Sequence, residues 1–467
     1  MKNKILASLL AGALAMLPVA ANAGWGGGGV GPYGSPITIY GWQYHSYEFI
    51  ERNKNTTSER DYSEIRSNAA NIGFLGFVDT GIEGLKMTWR CEQFTYLGDF
   101  AGGTGWCNRN SKVGLSGSFG EIMFATWLLP YNEMVAQWVD PFYDAGNLSH
   151  TGIMGNIGTT SGIFYNTGMF NDGDSFGDFD YSTADFSGSS SAGSQYYGAA
   201  GSYGMGFNRR QEGIIQYMGT FDKVSFRFAM TQGERDETSV TGGTGGAVKV
   251  DPVIYSTGIA YSDGPLWLAV TYQKHEDWVA AGLKTAASAS NAVASGSDAD
   301  SWRIAGRYIH DMGNGMSLTL SAMYEELEYE FDNVVATVFN EFGFDTTAMG
   351  SVTAGDNVSI ERDAWLISGK LTTNSPFNFR FMYAEADDYE GTWTVASGND
   401  KLRNDSGADM TVLGVYYSLG DSTEFGLTYN EVSNDTYGSY GTGIGAAGLG
   451  SIGSDTEIIA LNVITMF

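Results

Sequence analysis

The connections between the strand-like segments of this chain alternate strictly between short and long. Sixteen segments carry a period-two pattern: 37–47, 62–77, 84–95, 108–117, 120–128, 209–218, 223–232, 254–262, 265–276, 301–310, 315–327, 361–371, 376–386, 409–418, 423–433 and 456–467. One series of gaps is short and rich in turn residues: VDTGIE, SF, GTFD, DG, DMGN, TTNS and LGDS. The other series is long: 48–61, 95–107, 129–208, 233–253, 277–300, 328–360, 387–408 and 434–455. An even number of strands with tight turns at one end and long loops at the other predicts an all-β fold. The expected architecture is a transmembrane antiparallel β-barrel of about sixteen strands, with short periplasmic turns and long extracellular loops. No fixed-period repeat and no linker between two cores appears, so 37–467 reads as one barrel domain.

Side-chain alternation assigns the faces. In the last strand Ile459, Leu461, Val463, Thr465 and Phe467 share one side. In 376–386, Phe377, Phe379 and Phe381 oppose Asn378 and Arg380. Arg227 opposes Phe226 and Phe228, and Arg303 and Arg307 oppose Trp302, Ile304 and Tyr308. Lys86, Thr88, Arg90 and Glu92 oppose Leu85, Met87 and Trp89. A soluble barrel would fill its interior with apolar side chains. Here the apolar side is expected to face lipid and the polar side to line water. Closure follows, because lipid cannot satisfy an open sheet edge.

The address agrees with this. Lys2 and Lys4, the apolar run Ile5–Val19 and the motif Ala21-Asn22-Ala23 predict a cleaved signal peptide at 1–23. The apolar run is shorter than a spanning helix needs, and no later stretch reaches that length without a charge. A Gly-rich lead-in covers 24–36. Composition adds 65 Gly, 27 Tyr, 26 Phe and 11 Trp, which suits many turns and aromatic girdles and does not suit disorder. Acidic residues number 53 against 25 basic, a net charge of −28, which argues against nucleic-acid partners. Cys91 and Cys107, the only two cysteines, are expected to form a disulfide in an exported chain. The alternative, a metal site, lacks ligand spacing among the four scattered His.

The stretch Asn108–Phe142 organises the rest. Val113 and Leu115 lie on a strand, Ser118-Phe119-Gly120 makes a tight turn, and a return strand runs to Leu128. From 129 to 208 no strong strand pattern appears, and this stretch holds eight acidic residues and no Lys or Arg. So long a loop is usually functional or disordered, and part of it is expected to fill the barrel interior. The run VGLSGSFGEIMFATWLLPY, followed by DPF, resembles the neisserial-type general porins of Gram-negative outer membranes. ITIYGW at 37–42, NIGFLGFVDTGIEGLKMTWRCEQ at 71–93, IIQY at 214–217, TVLGVYYSL at 411–419 and the terminal Phe467 match the same family in order.

The resemblance implies an outer-membrane channel whose constriction loop folds into the pore, assembled as a homotrimer. It also implies acids on that loop facing bases on the wall. Glu133, Asp140 and Asp144 are the loop candidates, and Arg90, Lys112 and Arg227 the wall candidates. Where the family tends to be basic this chain has Asn71, Leu75, Met123 and Thr126. With the acidic loops, that depletion predicts a cation-selective path for small hydrophilic solutes and ions. Two rivals are a substrate-selective channel, using Trp127, Trp138 and Tyr143, and a non-conducting surface barrel. No nucleophile motif accompanies the His residues, so no enzyme is expected, and no cofactor or metal either. The acidic stretch Asp172–Asp185 reads as a solvated loop in preference to a calcium site.

Overall fold

In the computed structural model the alternating segments close into one antiparallel sheet. The structure describes residues 37–54, 60–95, 97, 106–155, 207–208, 210–231, 253–276, 297–334, 356–391, 405–436, 438, 440–442 and 453–467. The expected leader, the lead-in and the Asp172–Asp185 stretch lie outside the described residues. Among the described residues no helix is long and apolar enough to cross a membrane.

Eighteen hydrogen-bonded segments make up the sheet, and two of them continue a neighbour, so sixteen strands go round the barrel. They are β1 (Ile37–Lys54), β2 (Arg60–Ser67 and Asn71–Asp79), β3 (Lys86–Phe94), β4 (Ser111–Gly117) and β5 (Gly120–Leu128). Then come β6 (Arg210–Phe221), β7 (Val224–Thr231), β8 (Val253–Asp263), β9 (Leu266–Glu276), β10 (Ser297–Gly313) and β11 (Met316–Val334). The circuit ends with β12 (Asp356–Thr372), β13 (Phe377–Ala386, continued by Glu390–Gly391), β14 (Ala408–Leu419), β15 (Thr423–Asn434) and β16 (Ser454–Met466). β16 returns to β1 in a ladder from Trp42↔Met466 to Lys54↔Ser454, which leaves no free edge.

Two local features depart from even pairing. β2 is interrupted at Asn68–Ala70, where Ala69 takes a positive φ of 54° and Asn68 N–H reaches back to Tyr44 O at 2.7 Å. Both halves of β2 still pair with β1. At the β4–β5 turn Gly120 has φ 104°, and a Cβ there would lie 2.3 Å from Met218 O. Only glycine meets both demands.

Several strands run further than the alternation suggested. β1 reaches Lys54, and β10 and β11 reach Ser297 and Val334 at their extracellular ends. The hydrogen-bond ladder continues there, but the outward face changes from apolar to acidic and the period-two contrast fades. Leu320, Ile367, Phe381, Leu413, Leu427 and Leu461 form an exposed apolar band. Above it Tyr324, Tyr383 and Tyr429 donate to Asp363, Glu385 and Glu431 at 2.7, 2.9 and 2.9 Å. Tyrosines that keep their rings low and their hydroxyls on a polar partner mark a membrane–water boundary. Beyond them outward acids stand opposite one another, as in Asp300↔Glu328↔Glu361 and Glu431↔Glu457↔Glu51.

One expectation needs correction. The inward face is polar in places, with Arg227, Arg303 and Arg380 turned in, but much of it is apolar. Met123, Ile214, Met323, Leu366, Met410 and Val412 point inward and are buried. A stretch of the chain itself packs on them, so this part of the interior is a core and not a water channel.

Candidate functional site: the loop inside the barrel

The stretch after β5 turns inward, and its described part, 129–155, is buried almost throughout. Pro130 opens a one-turn helix, α1 (Pro130–Glu133), where its missing N–H costs nothing. A second short helix, α2 (Ala136–Val139), follows, then single 3₁₀ turns at Gly146–Leu148 and His150–Gly152. Tyr143 and Asp144 have positive φ of 74° and 51°, an uncommon conformation for non-glycine residues that reverses the chain between α2 and the 3₁₀ turns.

The loop is tied to the wall along its length. Tyr131 N–H donates to Ser256 Oγ on β8 at 3.0 Å, and Thr271 Oγ1 on β9 donates to Tyr131 O at 3.1 Å. Trp138 stacks on Trp267 of β9 with centroids 5.2 Å apart and lies under the Arg307 guanidinium of β10. Ser321 on β11 and Ser368 on β12 donate to Trp138 O and Val139 O. Arg380 on β13 donates to Pro141 O at 3.1 Å, and Tyr143 Oη donates to Glu424 on β15 at 2.7 Å. Asn147 Nδ2 donates to Glu48 on β1 at 2.6 Å. The loop therefore crosses the inner face of β8 to β15 and reaches β1.

The six charged residues expected at a constriction separate into two groups. Glu133 sits at the edge of the loop, where it accepts from Trp127 Nε1 at 2.8 Å and pairs with Arg227 on β7. Arg90 on β3 and Lys112 on β4 are directly opposite in the strand register. Each has a carboxylate partner on the wall, Glu92 for Arg90 and Glu121 for Lys112. Arg90 and Lys112 also lie over the Trp127 ring. The Arg90, Lys112 and Glu92 side chains keep little exposed surface, 9%, 13% and 2%.

Asp140 and Asp144 are elsewhere. Asp140 accepts from Phe142 N–H at 2.7 Å, from His150 N–H at 2.9 Å, and lies 3.1 Å from His150 Nδ1. Asp144 accepts from Asn132 Nδ2 at 3.0 Å and from Ser149 Oγ at 2.6 Å. Both carboxylates are turned into the loop's own interior, because a compact inward loop has backbone N–H groups that need buried acceptors. Burial raises the Asp144 carboxyl above the usual range, with His150 acting against it. Burial also pushes the Tyr143 phenol up to about 12.

A charged centre that sequence reasoning did not assemble lies beneath the loop. Glu325 on β11 bonds Arg303 Nε at 2.6 Å, Arg362 Nη2 at 2.8 Å and Tyr131 Oη at 3.2 Å, and it also accepts from Gly155 N–H. Arg303 was legible as inward by parity. Glu325 and Arg362 also occupy inward positions of their strands, and nothing in the sequence said they would meet. Arg380 and Glu424 make a second such pair at 2.6 Å. The sulfurs of Cys91 and Cys107 are joined, with Cα atoms 4.7 Å apart. Phe467 exchanges backbone hydrogen bonds with Gly41 at 2.9 and 3.1 Å.

A family model described as Gram-negative porin matches residues 8–437. The chain is 30% identical over 224 residues to the major outer membrane protein P.IB of Neisseria gonorrhoeae, covering 46% of this chain and 57% of that protein. It thus spans little more than half the length of the curated relatives it matches. Its structure is similar to the anion-selective porin from Comamonas acidovorans, with TM-score 0.59 at 16% identity over 93% of this chain and 100% of that one. It is also similar to OmpT, an outer membrane protein of Vibrio cholerae, in a trimer form, with TM-score 0.53 at 12% identity over 93% and 99% of the two chains. At these identities the structural likeness is one of fold.

Proposed function

Because this chain belongs to the Gram-negative porin family, whose model spans residues 8–437, we propose that it forms a water-filled channel for passive diffusion of small hydrophilic solutes and ions across the outer membrane. The observation that carries this reading is a buried loop held inside a closed barrel with an apolar outer band. The aqueous path in this reading runs between the edge of that loop and the inner faces of β3 and β4. Glu133, Arg90, Lys112 and Arg227 line it, with Glu92 and Glu121 as partners. Asp140 and Asp144 shape the loop from within. Three subunits form the assembly, a reading supported by family membership and by the trimer form of the Vibrio cholerae protein.

The channel favours cations. Charges along the proposed path are paired, so the bias arises at the extracellular mouth, where acids outnumber bases among the described residues. Asp387, Asp388, Asp405 and Asp435 cluster there, and the outward acids of β10 to β16 surround them. Fixed negative charge at a mouth raises the local cation concentration. It also fades as the Debye length falls from ~10 Å at 0.1 M salt to ~3 Å at 1 M. The Comamonas acidovorans porin is described as anion-selective, and at 16% identity that property stays with that protein.

Single-channel recording in planar bilayers tests this. Steady ohmic conductance with a zero-current potential favouring cations in a KCl gradient, larger in dilute salt, supports it. Saturation or block by one solute would instead indicate a substrate-selective channel, and no conductance a surface barrel. Lys112→Glu should increase cation preference if the path passes β4. An unchanged potential would move the path away from that wall.

A further inference from the structure

We propose that Asp140, Asp144 and His150 bind one divalent transition-metal ion, of the zinc class, inside the loop that fills the barrel. This goes beyond the channel reading and does not rest on it.

The three side chains each offer one ligand atom, and these atoms all lie within 4.8 Å of one another. His150 Nδ1 is 3.1 Å from Asp140 Oδ2 and 3.4 Å from Asp144 Oδ1. A tetrahedral ion with bonds of ~2.0–2.1 Å to nitrogen and oxygen holds its ligands ~3.3 Å apart. Two of the three edges therefore already have the length that such an ion requires. The ligand chemistry, one imidazole and two carboxylates, suits zinc and similar divalent ions better than calcium, which takes oxygen alone.

The groups around these three hold them in position. His150 Nε2 lies 3.3 Å from Asn132 Oδ1, which also accepts from Arg303 Nη1 at 3.1 Å. A ring whose far nitrogen donates to a fixed oxygen presents its other nitrogen, unprotonated, to a metal. Asn132 Nδ2 and Ser149 Oγ hold the Asp144 carboxylate, and two backbone N–H groups hold that of Asp140. Water supplies the fourth position.

Charge points the same way. The His150 and Asp140 side chains have no exposed surface. Arg303, the strongly basic group that reaches this cluster through Asn132, already shares Glu325 with Arg362. Two buried carboxylates need a compensating charge, and a dication supplies it. A metal would link positions 140, 144 and 150 and so pin the inward reversal of the loop.

Cobalt(II) titration of the full-length mature barrel, folded in detergent, stripped with chelator and held in excess calcium to occupy surface acids, tests the proposal. The expected result is one cobalt per chain with the visible bands of a tetrahedral nitrogen–oxygen site, displaced by zinc. His150→Gln and the pair Asp140→Asn with Asp144→Asn should lose those bands while the barrel remains heat-modifiable on gels. Added zinc should also raise the wild-type thermal transition, because an ion that binds only the folded state stabilises it. No stoichiometric band in the wild type, or bands that survive His150→Gln, would overturn the site.

Discussion

Arg303 on β10 and Glu325 on β11 stand opposite each other in the strand register and bond at 2.6 Å, with no exposed side-chain surface on either. Arg362 and the backbone of Gly155 converge on the same carboxylate. This joins the wall to the loop through one acid. Glu325→Gln leaves two buried guanidinium groups without their counter-charge, a change that costs ~3–5 kcal/mol. The denaturant midpoint of the folded barrel should fall accordingly. Glu330→Gln, on the exposed outward side of the same strand, should shift it by less than ~0.5 kcal/mol. Equal midpoints for the two variants would remove Glu325 as a keystone.

Cys91 and Cys107 close a loop between β3 and β4. Thiol labelling of denatured, unreduced mature protein should find neither free. In the chain-entropy model a loop of this size contributes ~3 kcal/mol, so Cys91→Ser with Cys107→Ser should lower the thermal transition. Stoichiometric labelling of both sulfurs would show the bond does not form.

Gly41 makes room for the C-terminal aromatic ring. A Cβ at Gly41 would lie 2.2 Å from Phe467 Cζ. Gly41→Ala must therefore displace Phe467 or the β1–β16 ladder. Both that variant and deletion of Phe467 should lower the fraction of heat-modifiable barrel in outer-membrane extracts. Wild-type yields for both would mean that barrel closure does not depend on this contact.

Acidity at the extracellular end should make selectivity depend on pH. Burial, and then the carboxylates of Asp363 and Glu385, raises Asp387 above the usual range. Burial, and then Asp388 and Asp405, does the same for Asp435. A raised folded-state value means that these groups favour folding below the unfolded value of about 3.9 and lose that contribution as pH rises through the raised one. The mouth should thus be less strained in acid, and the cation preference should shrink between pH 7 and about pH 4. Zero-current potentials at the two values check it. A constant potential would place the selecting charge elsewhere.

Much of the architecture was legible because a membrane imposes two strict rules. Backbone groups in lipid must pair, so strand pairs with short and long connections had to close. Outward positions in lipid had to be apolar, so Phe377, Phe379, Phe381, Ile459 and Leu461 declared their side by parity alone. Above the tyrosine boundary that rule lapses, and there the alternation under-read the lengths of β1, β10 and β11.

Strand number, the order of the connections, the outward faces and the presence of an inserted loop were all readable in the pattern of residues along the chain. What the loop meets is set by long-range packing. Glu325 gathers Arg303 and Arg362 from neighbouring strands and Gly155 from the loop, and no spacing encodes that meeting. Asp140 and Asp144 are two more acids in an acidic stretch until the left-handed turn at Tyr143 and Asp144 folds them onto His150. Parity assigns a residue to a side of the wall. Whether that side meets water, lipid or another part of the chain depends on where the loop packs, a long-range outcome of filling the barrel's volume.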